Sequence, residues 1–146
     1  MSRVKLIFPD EKPLFTTKIS IRIGDINYGG HTGNDAILSI IHEARMQMLA
    51  ANGFTELNAG GNSLIMADVM IAYKGESFYG EILNVDIFAN DINPKSFSLM
   101  YRITTHRADT IIEVAHAKTG LVCFNYTIRK IVLMTDTLND FLSRTK

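Results

Sequence analysis

Between residues 15 and 23 the side chains alternate, with Phe15, Thr17, Ile19, Ile21 and Ile23 set against Thr16, Lys18, Ser20 and Arg22. A period of two predicts a half-buried strand. From Asp35 the period becomes helical. Ile37, Ile41, Ala44 and Met48 fall on one stripe with Leu38, Arg45 and Leu49 beside it, and Asn52-Gly53 supplies the stop. Ile40 and Ala51 widen the apolar surface, so the pattern predicts a helix enclosed on most of its sides. Asn34 or Asp35 is the expected cap.

After a Gly/Asn-rich loop over 58–62, β-like stretches occupy roughly 63–73, 81–91, 96–106 and 110–133. Lys74-Gly75, Tyr79-Gly80, Asn93-Pro94 and Ala108-Asp109 mark the turns between them. Within 81–91, Leu83, Val85, Ile87 and Ala89 make one wholly apolar face, which is expected to point inward. The last stretch is too long for one straight strand and is expected to bend near Thr119-Gly120. Residues 135–144 add a terminal helical turn with Asp136 as its expected cap. One strand, one long helix and a run of antiparallel strands predict an α+β domain, a curved sheet around a central helix. Such a sheet leaves strand edges open, so the chain is expected to be a homo-oligomer.

The chain has 146 residues, the size of a single domain, which buries about 68–70% of the surface its unfolded form exposes. Fifteen basic residues balance fifteen acidic ones with no basic run, which argues against nucleic-acid or membrane-surface partners. The opening MSRVKLIFPDEKP has too short an apolar run for a signal peptide or a membrane span, and a cytoplasmic location is expected. The single cysteine, Cys123, sits in Leu121-Val122-Cys123-Phe124 and reads as a buried strand residue without a catalytic role. No His, Cys or Asp spacing resembles a metal site.

Chemistry concentrates in GDINYGGHTGNDAILSIIHEAR, residues 24–45, where a turn rich in Gly, Asp and Asn runs straight into the helix. A helix N-terminus offers unpaired N–H groups and the positive end of a macrodipole, which suits a carbonyl oxygen gaining negative charge. His31 is the side chain whose ordinary pKa suits acid–base work near neutrality. His42, His106 and His116 lie inside regular elements without a partnered motif and are read as non-catalytic.

This segment resembles hotdog-fold thioesterases of the 4-hydroxybenzoyl-CoA thioesterase type, whose turn reads D-x-D-x-x-G-H-V-N-N. Asp25, Asn27, Gly30, His31, Gly33 and Asn34 stand at the corresponding places, followed on the helix by Glu43, Ala44 and Arg45. Residues 73–83 resemble that family's Y-x-x-P-x-x-x-G-D-x-L connection, with Glu76 where Pro would stand and Glu81 where Asp would. The likeness spans roughly 16–133. It implies the hotdog fold, an acyl-CoA or acyl-carrier-protein thioester as substrate, hydrolysis to acid and thiol, no cofactor, and a dimer or tetramer with the site at the subunit interface.

By the same resemblance, a backbone N–H near Asn34 contacts the thioester oxygen, with Gly30 and Asp35 completing the substrate-binding edge. Asn27 occupies the place of a catalytic Asp, and an amide has no basic site at neutral pH. Asn27 and His31 are then expected to hold water, with Glu43 the first candidate base and Asp25 or Asp35 next. Two other readings share these residues. Gly24-Asp25-Ile26-Asn27 with His31 is also similar to the G-D-x-N-P-x-H turn of R-specific enoyl-CoA hydratases, although Pro is missing and the His comes one residue late. A dimer that binds acyl-CoA without turning it over is the other.

Overall fold

A computed structural model describes residues 1–146. Its elements are β1 (Phe15–Ser20), α1 (Asn34–Ala51), β2 (Ser63–Tyr73), β3 (Ile82–Asn90), β4 (Ser96–Arg107), β5 (Thr110–Asn125), β6 (Lys130–Ile131) and α2 (Asp136–Leu142). All strand pairs are antiparallel, in the order β1-β3-β4-β5-β2, with the short β6 added to β5. This is the α+β architecture the patterning predicts. No helix is long and apolar enough to cross a membrane.

One face of the sheet carries the core. Leu83, Val85, Ile87 and Ala89 are fully buried, as expected, and join Leu99, Tyr101, Ile103, Ala115, Ala117 and Cys123 beneath Ile37, Ile40, Ile41, Ala44 and Met48 of α1. The opposite face is also partly covered. Phe8, from the segment preceding β1, packs edge-on against Phe88 and His116 with ring centroids 5.3 and 5.0 Å away, which explains why Phe88 is buried on the side expected to face solvent.

The boundaries differ from the pattern where side chains capture the backbone. β1 ends at Ser20 because the Arg22 N–H donates to the Asp25 carboxylate at 2.8 Å, which winds Ile23–Asp25 into a 3-10 turn. β5 ends at Asn125, whose Oδ1 accepts the Thr127 and Ile128 N–H groups and turns the chain into β6. The irregularity expected near Gly120 sits on the neighbouring strand, a bulge in β2 between Met66 and Asp68 opposite Leu121 and Gly120. None of the expected caps holds: Gly33, not Asn34 or Asp35, caps α1 without a side-chain bond, and Thr135, not Asp136, caps α2 by accepting the Leu138 N–H. The stop of α1 is as read. The Gly53 N–H reaches Ala50 O and the Phe54 N–H reaches Leu49 O, the paired bonds of a Schellman ending.

Two features prepare a site. α1 is less enclosed than its composition predicts, because Asn34, Asp35, Leu38, Ser39, His42 and Glu43 form a stripe open to solvent. β2 is an edge strand, paired on one side only, and its Met66, Val69 and Tyr73 are exposed.

Candidate active site

The turn between the 3-10 segment and α1 is a small closed loop. Ile26 and Thr32 bridge, the Asn27 N–H donates to His31 O at 2.9 Å, and the Gly30 N–H donates to Asn27 O at 3.1 Å. Closing so tight a loop puts residue 30 at φ +82, where a side chain is strained, so Gly30 serves conformation. Asn27 Oδ1 accepts the Gly29 N–H at 2.9 Å. A Cβ on Gly29 would lie 3.1 Å from His31 Nε2 and 3.2 Å from Asn27 Oδ1, so the bare glycine keeps open a space that both polar groups border.

Asp25 is committed elsewhere. Its buried carboxylate accepts the Arg22 N–H and lies 3.6 Å from the Arg22 guanidinium, while its carbonyl accepts the Gly33 N–H at 2.9 Å. It fastens the turn to the helix start.

At that start Gly33 is extended, φ −70 and ψ 153, and Asn34 is the first helical residue. Asn34 Oδ1 accepts the Asp35 N–H at 3.0 Å, whereas the Asn34 N–H has no partner within the chain. Tyr73, at the end of β2, donates its hydroxyl to Asn34 O at 3.0 Å and ties the helix start to the sheet. Burial, and then the Asp35 charge, push the Tyr73 phenol up, so it stays a neutral donor.

The facing wall is the β2–β3 connection, held in four places. The Lys74 and Gly75 N–H groups donate to Val114 O at 2.9 and 3.1 Å. Arg107 donates to Glu76 O at 3.1 Å and to both Glu81 carboxylate oxygens, and this guanidinium holds Glu81 below the usual carboxylate range. Ser77 Oγ donates to Thr32 Oγ1 at 2.8 Å while the Thr32 N–H donates to Ser77 O at 2.8 Å, both residues being buried. The chain flanking Glu76 is thereby pinned to the chain flanking His31. His31 Nδ1 faces Thr32 O at 3.2 Å, and its Nε2 lies 3.9 Å from Glu76 Oε1.

These segments enclose a cleft of about 550 Å³ lined by Asn27, His31, Asn34, Tyr73, Lys74 and Glu76 with Gly75. Three of the residues singled out in the sequence, Asn27, His31 and Asn34, thus share one cleft. Asp35 borders the adjoining hollow with Asp25, Asn27 and Tyr28. Glu43 is not brought to them. It accepts from Gln47 at 2.7 Å and lines a separate groove with Lys18, Arg22, Asp25 and His42, about 13 Å along the helix axis from Asn34. Nor does it pair with Arg45, which turns into the core toward Glu56 and Tyr101. Tyr73 and Glu76 were not selected from the sequence. For Glu76 the signal was present, since an acid stands there in place of the Pro of the resembling pattern. Cys123 is buried and its thiol is pushed up to about 11 by that burial. No three His, Cys, Asp or Glu side chains are grouped as metal ligands.

A family profile described as the thioesterase-like superfamily matches residues 21–142. Among solved structures, a 1,4-dihydroxy-2-naphthoyl-CoA thioesterase from Synechocystis superposes with a TM-score of 0.77 at 19% identity, covering 88% of this chain and 95% of that one. A thioesterase-superfamily protein from Jannaschia sp. CCS1 gives 0.77 at 18%, covering 88% and 81%. A gentisyl-coenzyme A thioesterase gives 0.72 at 12%, covering 88% and 99%. At these identities the likeness is one of fold. Among curated proteins, none matches the sequence.

Proposed function

The chain belongs to the thioesterase-like superfamily, and from that premise we propose that it hydrolyses an acyl-CoA thioester at the cleft where the turn meets α1. The observation that carries the reading is the Asn34 N–H, without a partner in the chain at the start of an 18-residue helix, on a residue that lines the cleft together with polar groups from two walls. A donor there lies along the helix macrodipole, and its bond to an oxygen strengthens as that oxygen gains charge. His31 and Asn27 border the space beside Gly29 and hold the attacking water. Glu43 lines a separate groove and does not share this cleft. A CoA arm as the thiol portion is supported by the two solved relatives whose names specify CoA thioesters.

The assembly follows from β2. An edge strand carrying exposed Met66, Val69 and Tyr73 suits pairing with a second copy. Tyr73 is bonded to Asn34, so pairing through β2 would bring the cleft to the subunit boundary. Sedimentation at micromolar concentration is expected to report a dimer or tetramer.

The test is release of free thiol from short, long and aromatic acyl-CoAs, run beside hydration of crotonyl-CoA. Thiol release supports the proposal. Hydration without thiol release contradicts it, and so does tight binding with neither reaction.

A further inference from the structure

The resembling pattern has a carboxylate in the turn and Pro in the β2–β3 connection, whereas this chain has Asn27 and Glu76 at those two places. The structure brings the two places to one cleft. Resting on the thioesterase reading, we propose that Glu76 is the general base for water attack, a carboxylate supplied from the wall opposite Asn27, with His31 as its partner in holding the water.

The backbone that carries Glu76 is firmly held, while its carboxylate stays exposed toward His31. Arg107 fixes its carbonyl, Ser77 beside it is locked to Thr32, and the Gly75 N–H is bonded to Val114 O. The same Thr32–Ser77 lock sets His31, because Thr32 is its neighbour and Thr32 O faces His31 Nδ1 at 3.2 Å. With the ring N–H on that side, the Nε2 lone pair faces Glu76 Oε1 across 3.9 Å. That separation is too long for a direct hydrogen bond and suits one water donating to both groups.

The chemistry balances with these groups. The water oxygen forms a bond to the thioester carbon as one water proton passes to the Glu76 carboxylate. The carbonyl electron pair moves onto oxygen, which accepts from the Asn34 N–H. Collapse breaks the carbon–sulfur bond, and the departing thiolate takes the proton that Glu76 holds. Acid and thiol leave, and Glu76 is again a carboxylate.

Asn27 is suited to a reciprocal test. Its Oδ1 is an acceptor from Gly29, and its Nδ2 makes no hydrogen bond, so a carboxylate fits there without losing a bond. The experiment measures kcat and its pH profile for wild type, Glu76→Gln and Glu76→Gln/Asn27→Asp, with thermal melting to establish folding. Glu76→Gln is expected to lower kcat by about 10²–10⁴ with KM little changed and to alter the acid limb of the pH profile. The double variant is expected to recover part of the rate and of that limb. Undiminished kcat in a folded Glu76→Gln, alongside an active wild type, overturns the role of Glu76 and leaves the thioesterase reading standing. A wild type that releases no thiol overturns both.

Discussion

The Arg45 guanidinium donates to the Tyr101 hydroxyl at 3.2 Å inside the core, and that hydroxyl is also 2.7 Å from Thr119 Oγ1. Arg45 is 5% exposed, and its remaining side-chain bond goes to Glu56 in the loop after α1. The middle of the helix is thus tied to β4 and β5 by a polar chain in apolar surroundings. Tyr101→Phe leaves two buried polar groups, the Arg45 guanidinium and Thr119 Oγ1, with fewer partners and is expected to cost about 1–3 kcal/mol in urea unfolding. Equal stability of the variant and wild type would mean that the chain of bonds contributes nothing net.

Acid sensitivity is expected at the Arg107–Glu81 pair. Hydrogen bonding from Arg107 holds Glu81 below its ordinary value. A lowered folded-state value contributes stability that is present above the unfolded value and lost as pH falls through the folded one. Glu81→Gln lacks that contribution at every pH. The melting temperatures of wild type and Glu81→Gln should therefore differ most at neutral pH and converge on acidification. A gap that stays constant with pH would contradict the assignment.

Gly29→Ala fills the space between Asn27 Oδ1 and His31 Nε2. Because residue 29 has no positive φ, the backbone accepts the change, and folding should be retained. Crowding of the two groups proposed to hold the water is expected to lower kcat about 10²-fold. Steady-state kinetics beside a melting curve would check both halves, and unchanged kcat would place the attacking water elsewhere.

Much of the fold was legible because apolar positions repeat at the period of the element they form. The face made by Leu83, Val85, Ile87 and Ala89 is buried throughout, and the Asn52-Gly53 stop ends α1. What was hidden depends on contacts distant in sequence. Nothing near Phe88 announces that Phe8 covers it. The helix looked enclosed because Leu38 and Ala51 count as apolar, yet within one protomer both are exposed. At the site, Asn27, His31 and Asn34 were legible as a local turn-to-helix motif. Glu76 was visible only as a departure from a pattern, since its approach to His31 is made by the Thr32–Ser77 lock across 45 residues. Glu43 matches the resembling pattern by its position on the helix, yet helical rise alone carries it away from the turn.

Asn34→Pro is the sharpest probe of the Asn34 amide as donor to the oxyanion. Residue 34 is the first of α1, where Pro is favoured, and Gly33 before it already has the extended conformation Pro requires. The substitution removes the one N–H at issue and leaves Asn34 O to accept from Tyr73, while Asn34→Ala keeps the N–H and serves as the control for the side chain. Measured as kcat for thiol release from the best acyl-CoA substrate, Asn34→Pro is expected to fold, assemble and lose about 10²–10³ relative to Asn34→Ala, as for removal of one oxyanion donor. A folded, assembled Asn34→Pro that turns over as fast as Asn34→Ala would contradict the account.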